Sequence, residues 1–393
     1  MIYKTQVAII GAGPAGLLLS RMLFNAGIES IILENRNEAY LRQRLRAGVQ
    51  EEGTVAAFVE AGVGDKLMKE GMEHHGIRFH FAGEQHHIDV KGLTGGKVVT
   101  VYGQRNITCD MIDWAHKDNI KIIYEAKAQR LEGLTTDAPI VHFSLNGSLH
   151  ELHCEYVAGC DGYHGISRPS IPKQLRREYV HEFEHSWYGI LAEAPPSFEE
   201  VVYAHHPNGF ALQSMRSPEL SRMYIQCPNG TDPEDWEEEA LWDELDLRLG
   251  FKNNRGKIVD KSVASMRSFV CDNMQHGKLF IAGDAAHIVP PTGAKGMNLA
   301  VSDVKVLAKG LINHYTEKDD TVLSAYSKIC LSRIWKVERF SWWVTTSFHT
   351  LENQSEFDTK MQEATLGYLC SSDIGAASFA ENYVGLPIYW DAK

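Results

Sequence analysis

The segment from Thr5 to Glu34 constrains the fold more than any other part of the 393-residue chain. It reads TQVAIIGAGPAGLLLSRMLFNAGIESIILE: an apolar stretch, glycines spaced G-x-G-x-x-G, a helix-like stretch and a second apolar stretch. That order is typical of a βαβ unit, in which the glycines allow a tight turn, close approach to a pyrophosphate and close packing of helix on strand. An acidic residue about 20 positions further on binds a ribose hydroxyl in such units. The sequence therefore predicts an adenine-dinucleotide site that includes Gly11, Gly13, Ala15, Gly16 and Glu34.

A second segment, residues 279–300, has a similar order of strand, loop and helix. It reads LFIAGDAAHIVPPTGAKGMNLA, and Asp284 comes where the apolar strand should end. Two prolines and two glycines form the loop, and from Met297 onward the pattern turns helical. A carboxylate at a strand end and backbone N–H groups at a helix start suit a phosphorylated cofactor. Taken alone, an ordinary strand–loop–helix connection would explain the pattern equally well.

The remaining patterns predict an α/β fold with four parts. Residues 1–176 are predicted to form a Rossmann-like FAD-binding domain with interleaved strands near 76–103. Residues 177–276 mostly alternate, which predicts an inserted β-rich substrate-binding domain. Residues 277–300 return to the first domain and carry the active-site loop, and 301–393 form a helical C-terminal region that includes a subunit interface.

Composition excludes several kinds of partner. The net charge of −12 argues against nucleic acid, which needs a basic surface. No apolar run approaches the roughly 20 residues of a membrane span. Seven cysteines without a CxxC pair predict reduced thiols and a cytoplasmic location. The sequence HEFEH at 181–185 matches HExxH, but alternation around it predicts a strand, so no metal site is expected.

Positive charge is concentrated at two further places. Arg42, Arg44 and Arg46 lie close together before a predicted helix near 51–61, where they suit a pyrophosphate. A solvated basic face is the plainer alternative for any one of them. The second place follows the strand that ends at Cys160. Asp161-Gly162 forms a sharp turn that can aim a carboxylate into a cleft, and His164 and Arg168 add positive charge beside it.

GAGPAG with Glu34, the Cys-Asp-Gly turn and GDAAH at 283–287 together resemble the class A flavoprotein monooxygenases. Longer stretches narrow the resemblance to the branch that hydroxylates 4-hydroxybenzoate; they include RLRAGV, GGKVVTVYGQ, GCDGYHGISR, GFALQSMRS, RIWKVERFSWW and ENYVGLP. The likeness runs essentially from end to end. It implies an FAD enzyme that is reduced by NADPH or NADH and forms a flavin C4a-hydroperoxide with O2. It further implies that the product is 3,4-dihydroxybenzoate and that the enzyme is a homodimer.

The resemblance also implies which residues contact the cofactor and the reductant. Beyond the glycine motif and Glu34, the FAD contacts are Arg44, Leu45, Arg46, Ala47, Gly48 and Val49 at the pyrophosphate, Gln104 and Asp284 near the ribityl chain, and Met297 and Asn298 at the ring. Arg46 is implied as the main charge, and Met297 and Asn298 as backbone and amide donors. The reductant contacts are His164, Arg168, Arg267, Arg36 and Tyr40. NADPH is favoured, although Asn35 and Glu38 weaken the positive field beside the last two.

The implied substrate pocket has two polar ends. Arg216 would clamp the carboxylate with help from Ser214, Met215, Tyr224 and Arg222. Tyr203 would bind the phenol, with Tyr383 behind it, His74 at the outer end of a proton chain, Pro291 offering its carbonyl and Lys295 balancing the charge. The reaction itself requires such a layout, independently of the resemblance. One arginine orients a carboxylate in an apolar pocket, and a tyrosine relay can remove a phenol proton without placing a charge in the site. Without the resemblance, each tyrosine would be interpreted as a core residue.

Two alternatives stay open on the sequence alone. One is a related class A hydroxylase that acts on an aminobenzoate or salicylate-type acid. The other is a non-redox protein that keeps the FAD-binding fold. The site set of Tyr203, Arg216 and Tyr383 favours a para-hydroxy acid, and the intact glycine motif with Asp284 argues against a non-redox protein. The expected partners are therefore a small aromatic acid and O2.

Overall fold

The computed structural model describes residues 1–44, 48–351 and 353–391. Its strands, in chain order, are β1 (Ile2–Lys4), β2 (Val7–Ile10), β3 (Ser30–Leu33), β4 (Val49–Gln50), β5 (Met72–His74), β6 (Ile77–Phe81), β7 (Glu84–Ile88), β8 (Val99–Val101), β9 (Lys121–Ile123), β10 (Lys127–Glu132), β11 (Ile140–Leu145), β12 (Ser148–His153), β13 (Tyr156–Gly159), β14 (Glu178–Glu193), β15 (Val202–Ala204), β16 (Ala211–Ser217), β17 (Leu220–Pro228), β18 (Lys257–Cys271), β19 (Gln275–His276), β20 (Leu279–Ile281) and β21 (His287–Ile288).

The helices, in chain order, are α1 (Pro14–Asn25), α2 (Glu38–Gln43), α3 (Glu52–Glu60), α4 (Asp65–Glu70), α5 (Val90–Leu93), α6 (Gln104–Lys117), α7 (Glu238–Leu249), α8 (Gly296–Glu317), α9 (Thr321–Ser324), α10 (Tyr326–Phe348), α11 (Glu356–Ser371) and α12 (Asp373–Val384). Short 3-10 turns occur at Arg168–Ser170, Gly283–Ala285 and Pro291–Gly293. Within the described residues, no helix is both long enough and apolar enough to cross a membrane.

A six-stranded sheet carries the dinucleotide-binding unit. Its order is β19-β20-β13-β2-β3-β9, and all neighbours are parallel except β19 and β20. The central strand β2 is VAII, and all four residues are buried, as expected for a parallel strand covered on both faces. Helix α1 begins with Pro14, which suits the first helical position, and it packs against α8. The predicted βαβ unit and the α/β class are confirmed.

An eight-stranded sheet forms the second large unit, in the order β21-β18-β14-β17-β16-β15-β6-β7. Strands β6 and β7, which the sequence analysis placed within the first domain, join this sheet because β6 pairs in parallel with β15. The strand predicted over HEFEH is part of β14. Four residues of extended chain separate its two histidines by roughly 13 Å, which is too far for one shared metal ion. The four domain boundaries stay a prediction.

Two hydrophobic clusters meet at the loop between β21 and α8. The larger one fills the space around the six-stranded sheet and α8. The second is rich in aromatic rings from β6, β15, α10 and α12; among them are Phe79, Tyr203, Phe340, Phe348, Phe379 and Tyr383. Because aromatic rings exclude water and leave few polar atoms, this second cluster is a suitable wall for a small aromatic ligand.

Candidate active site

The glycine loop between β2 and α1 has two positions, Gly11 and Gly16, that leave no room for a side chain. Gly11 has φ +102°, and a Cβ there would lie 2.3 Å from the carbonyl oxygen of Cys160. A Cβ on Gly16 would lie 2.0 Å from the carbonyl oxygen of Gly11, so this glycine permits the close packing of α1 on the loop. Gly13 differs from both, because its φ is −73° and nothing lies within 4 Å of a Cβ built there. The protein therefore tolerates a side chain at Gly13, and only a ligand would exclude one.

The same loop presents groups that fit FAD. Helix α1 has no side-chain cap, so backbone N–H groups at its N-terminus can bind a pyrophosphate. Ala15 is buried within its first turn. Glu34 is also buried, and its carboxylate accepts hydrogen bonds from the N–H groups of Ala12 (2.8 Å) and Arg36 (2.8 Å). Each carboxylate oxygen can accept a second bond, which leaves capacity for a ribose hydroxyl.

Replacing Gly13 with alanine should leave the fold intact and weaken FAD binding by roughly 100-fold, because the new methyl group occupies the space needed for close approach of the pyrophosphate. FAD titration followed by flavin fluorescence measures the affinity, and thermal unfolding of the FAD-free chain measures the fold. Gly27→Ala is the matched control: it has φ +72° with open space around its Cβ, so it should cost stability and leave the affinity alone. Equal FAD affinity in Gly13→Ala and wild type would contradict this assignment.

The other predicted FAD contacts lie in three places. Asp284 is half-buried in the 3-10 turn at the end of β20, and Gln104 begins α6. Gly48 lies directly against residues 102–103, since a Cβ there would be 2.4 Å from the carbonyl oxygen of Tyr102. Arg44 ends α2, and Val49 begins β4. Leu45, Arg46 and Ala47 lie outside the described residues.

The loop from Pro290 to Lys295 connects β21 to α8 and contacts Tyr203. Thr292 is fully buried, and its carbonyl oxygen accepts a hydrogen bond from the hydroxyl group of Tyr203. The exposed Pro291 uses its carbonyl oxygen as an acceptor for the N–H of Ala294 (2.9 Å), which leaves one lone pair. Ala294 has φ +52°, an uncommon conformation for a residue with a Cβ.

The start of α8 corrects one expectation about Asn298. Its side-chain oxygen accepts from the N–H of Glu51 (2.9 Å), and its amide nitrogen donates to the carbonyl oxygens of Val49 (3.0 Å) and Ala294 (2.8 Å). That amide is therefore used within the protein and is not a donor to the ring. The first hydrogen bond of α8 runs from Leu299 N to Lys295 O (2.9 Å), so the preceding N–H groups, including that of Met297, have no partner within the helix.

Lys295 lies in a buried charge cluster beneath the loop. Its Nζ is 2.7 Å from Glu51 and 2.8 Å from the carbonyl oxygen of Tyr383, while Arg333 is 2.5 Å from the other oxygen of Glu51. One carboxylate facing two cations leaves a net charge of +1. Burial lowers the pKa of Lys295, against the opposing effect of Glu51. The cluster ties the loop to α3, α10 and the end of α12.

Arg216 is partly buried on β16, where uncharged groups of the same strand hold its guanidinium. Its Nη1 donates to Ser214 Oγ (2.8 Å) and to the carbonyl oxygen of Met215 (3.2 Å). Among the described residues, no carboxylate forms a salt bridge with it. The ladder between β16 and β17 shifts register between Met215 and Ser217, and such a bulge re-aims the side chain at its centre. Burial and the nearby Arg222 lower the pKa of Arg216, so a bound carboxylate would relieve an expensive buried charge.

Arg222 is different, because Asp260 pairs with its charge, although its Nε has no hydrogen-bond partner within the described residues. Its Nη1 lies 2.6 Å from Asp260, and its Nη2 donates to Ser262 (2.8 Å). Its guanidinium carbon lies 5.0 Å from the centre of the Tyr224 ring. Arg222 therefore supports the position of Tyr224 more than it offers charge to a ligand.

Two buried tyrosines, Tyr203 and Tyr383, belong to the aromatic cluster. Tyr203 packs between the rings of Phe79, Phe210 and Phe348. Burial, and to a smaller extent Tyr383, raises the pKa of Tyr203 well above its ordinary value. Burial likewise raises the pKa of Tyr383. Both hydroxyl groups therefore keep their protons and can relay a proton without carrying charge.

His74 is buried at the end of β5, and neither ring nitrogen has a hydrogen-bond partner within the described residues. Burial, followed by the charge of Arg216, lowers its pKa to about 4. His74 is thus neutral at neutral pH and near enough to Arg216 to respond to its charge. Burial also lowers the pKa of His185 to about 4.

These two histidines predict acid instability. Their pKa values are lower in the folded chain than the ordinary 6.5, so the unfolded chain binds more protons between pH 4 and 6.5. Stability should be complete above pH 6.5 and fall as the pH drops toward 4, by on the order of 3 kcal/mol for each group. Chemical unfolding at several pH values measures this slope. His74→Gln should flatten it, whereas the same change at the half-exposed neighbour His75 should not; an equal slope in all three proteins would refute the prediction.

The predicted reductant contacts form two separate groups. Tyr163 lies between the guanidinium carbons of Arg168 (4.5 Å from the ring centre) and Arg267 (5.0 Å), and the exposed His164 follows it. Arg168 is also 3.1 Å from Glu178. Arg36 lies 5.1 Å from the centre of the Tyr40 ring at the start of α2, on the solvent side.

Sequence reasoning missed several residues of this site. Thr292 was overlooked because its carbonyl, not its side chain, receives the hydroxyl of Tyr203. Glu51 and Arg333 were overlooked because 244 residues separate Glu51 from Lys295 and 282 separate it from Arg333. No local pattern marks such contacts, although an acidic residue beside an apolar helix start was a weak signal.

Comparison with known proteins identifies the family. The family described as the FAD binding domain matches residues 4–341. The chain therefore belongs to this family of FAD-dependent aromatic hydroxylases. Within the family, the p-hydroxybenzoate hydroxylase of Acinetobacter baylyi is 44% identical over 388 residues, which cover 98% of this chain and 96% of that enzyme.

Two further comparisons show how widely the fold is shared. A probable NADH-specific resorcinol 4-hydroxylase of Rhodococcus jostii is 22% identical and covers 82% of this chain and 61% of its own length. The solved structure of the p-nitrophenol 4-monooxygenase of Pseudomonas putida superposes with a TM-score of 0.83 at 18% identity, over 98% of this chain and 100% of that one. Such a low identity establishes the fold alone.

Proposed function

We propose that this chain hydroxylates 4-hydroxybenzoate at the 3-position with FAD, O2 and a nicotinamide dinucleotide, giving 3,4-dihydroxybenzoate. One observation carries the proposal: β16 carries Arg216, a partly buried arginine that lacks a carboxylate partner within the described residues, and the adjacent strand β15 carries Tyr203, which is buried with Tyr383 in the aromatic cluster. A para-hydroxy acid has the matching carboxylate and phenol at opposite ends of a ring. The relative that is 44% identical bears the name of that reaction, which supports the choice over an aminobenzoate or salicylate-type acid.

The residues of the pocket have distinct roles in this proposal. Arg216 binds the substrate carboxylate, and Ser214 fixes the guanidinium plane through its 2.8 Å hydrogen bond. The hydroxyl of Tyr203 donates a hydrogen bond to the carbonyl oxygen of Thr292, so its oxygen lone pairs are available to accept a hydrogen bond from the substrate phenol. Bound FAD supplies the activated oxygen. The ring carbon beside the phenol becomes a better nucleophile as the phenol proton leaves.

Burial determines the protonation of the residues on the proton path, and a neighbouring ion cluster determines the charge of the site. As Tyr203 takes up the phenol proton, its own hydroxyl hydrogen moves from the Thr292 carbonyl to Tyr383, and Tyr383 passes its proton toward His74, which burial keeps neutral and able to accept it. The net charge of +1 on Lys295, Arg333 and Glu51 favours an electron-rich, partly anionic ring. The aromatic wall excludes water, which protects the activated oxygen from unproductive decay.

The reductant, the assembly and the location are part of the same proposal. Arg168, Arg267 and His164 would bind the phosphates of NADPH or NADH, and Arg36 with Tyr40 would favour NADPH.

The C-terminal helices expose Trp342, Phe357, Tyr368 and Ile374, which suits a homodimer interface. Sedimentation at the mass of two chains would support the dimer, and a monomer mass would exclude it. Seven free thiols suit the cytoplasm.

The decisive experiment measures oxidation of NADPH and of NADH by the FAD-loaded protein, with and without 4-hydroxybenzoate, and identifies the product. Substrate should stimulate oxidation, and product should form in a one-to-one ratio with the reductant consumed. An oxidation rate that substrate leaves unchanged, or peroxide as the sole product, would reject the proposal. Faster coupled turnover with 4-aminobenzoate or salicylate would favour the related hydroxylase, and no oxidation with any acid would favour a non-redox protein.

A further inference from the structure

Helix α10 carries polar side chains on the face that packs beneath the active-site loop. Thr345 donates from Oγ1 to Oγ1 of Thr292 (2.9 Å). One turn earlier, the hydroxyl of Ser341 lies so close to Gly293 that a Cβ there would be 2.7 Å from it. Glu338 precedes Ser341 by three residues, so all three side chains lie along one side of the helix. A carboxyl group thus lies on a helix face that is otherwise apolar and hydroxyl-bearing.

Glu338 is buried without a satisfying partner. Its exposed fraction is 7%, and neither carboxyl oxygen has a hydrogen-bond partner within the described residues. The groups that face it are Ser268 of β18 and His287 of β21. Burying an unsatisfied carboxyl group is costly, so a chain that keeps one is expected to use it.

His287 links this carboxyl group to the turn that carries Asp284. Its Nε2 lies 2.6 Å from Oδ2 of Asp303, and the same oxygen accepts the N–H of Gly283 (3.0 Å). Because that oxygen is an acceptor, Nε2 of His287 carries a hydrogen and Nδ1 is left for a further partner. Nδ1 has none within the described residues. Asp303 therefore clamps both ends of the turn, while the other side of His287 is directed to the region of Glu338.

Ser268 completes the surroundings of this pair. Val270 pairs with His287 in the ladder between β18 and β21, so Ser268 lies on the same face of the sheet as the imidazole. The hydroxyl of Ser268 is buried and has no partner in the described part of the chain. Three residues thus direct polar atoms into one buried region, as many as an ordered water molecule commonly binds.

We propose that Glu338 and His287 share one proton through a buried water that Ser268 also binds, and that this proton positions the turn from Gly283 to Ile288 for FAD. Glu338 is thereby a positioning residue that acts on Asp284 through His287 and Asp303. The proposal rests on the FAD site described above and deepens it. It does not depend on which aromatic acid is hydroxylated.

The state of this proton should change near neutral pH. Burial raises the pKa of Glu338 to about 7. Although burial alone would lower it, the charge of Asp303, with those of Asp284 and Glu338, raises the pKa of His287. Below pH 7 the pair of Glu338 and His287 keeps the shared proton; above pH 7 the proton leaves, which adds one negative charge to those of Asp303 and Asp284. Since FAD carries a pyrophosphate anion, its affinity should fall as the pH rises through 7.

The test is FAD titration of the full chain at pH values from about 5.5 to about 8.5. The dissociation constant of the wild type should rise several-fold across this range, and Glu338→Gln should show no such rise. Glu338→Asp should restore it, and Glu356→Gln, at an exposed position, should behave as wild type. A pH dependence in Glu338→Gln equal to that of the wild type would overturn the proposal.

A second variant covers the case in which Glu338→Gln fails to fold. Ser268 lowers the pKa of Glu338, so Ser268→Ala should move the midpoint of the FAD titration to higher pH. An unmoved midpoint would overturn the proposal as well. Neither result depends on turnover, so a chain that binds FAD with this pH dependence and makes no 3,4-dihydroxybenzoate would reject the proposed function alone.

Discussion

Replacing Arg216 with lysine should weaken binding of 4-hydroxybenzoate by about 10- to 150-fold. The planar guanidinium can make two parallel hydrogen bonds to a carboxylate, whereas an ammonium group makes one at a point, and a lost bond to a charged group is worth about 1.5–3 kcal/mol. Arg216 has no carboxylate partner within the described residues, so the ligand supplies the missing one. Substrate-induced changes in flavin absorbance measure the dissociation constant.

Arg222→Lys is the matched control for Arg216→Lys. Arg222 lies on the neighbouring strand, but Asp260 already neutralises it, so the same substitution should change the affinity much less. A phenol that lacks the carboxylate should bind to the wild type and to Arg216→Lys alike. If Arg216→Lys binds 4-hydroxybenzoate as tightly as the wild type does, the carboxylate site lies elsewhere.

The sequence predicted the cofactor half of this site better than the substrate half. The glycine motif and Glu34 are local, because a turn, a strand and a helix require those residues within a short stretch. Their placement at the ends of β2 and β3 follows directly. By contrast, the direction of the Arg216 side chain depends on a bulge in β16, and the position of the Tyr203 hydroxyl depends on a carbonyl group 89 residues away. Neither feature leaves a local pattern in the sequence. For these residues only a family resemblance could supply a role in advance.

Asn298 illustrates the limit of such a resemblance. The residue type and position match the family, yet its amide nitrogen donates to the carbonyl oxygens of Val49 and Ala294 and its oxygen accepts from Glu51. An asparagine has two donors and an acceptor, and sequence cannot tell which partner each one finds. The pairing of β6 with β15 is a similar case, since a parallel pairing between strands 120 residues apart is set by tertiary packing.

Replacing Tyr203 with phenylalanine should reduce the rate of hydroxylation by about 100-fold while flavin reduction by NADPH continues, so that most of the reductant consumed yields hydrogen peroxide. The ring stays in place between Phe79 and Phe348, so substrate should still bind. What is lost is the oxygen that accepts the phenol proton, a contribution typically worth 10²–10⁴-fold, i.e. about 100-fold or more. The measurement is the ratio of 3,4-dihydroxybenzoate formed to NADPH oxidised.

Tyr188→Phe separates this effect from a loss of stability. Tyr188 is also buried, and its hydroxyl also donates to a backbone carbonyl, that of Pro233, away from the loop. Both variants remove one hydrogen bond from a buried tyrosine hydroxyl to a backbone carbonyl and should lose a similar amount of stability, about 1 kcal/mol. Only Tyr203→Phe should lose coupling, because only Tyr203 connects the substrate phenol to Thr292 and Tyr383. Full coupling in that variant would mean that the phenol proton leaves by another path, and the relay through Tyr383 toward His74 would then have to be abandoned.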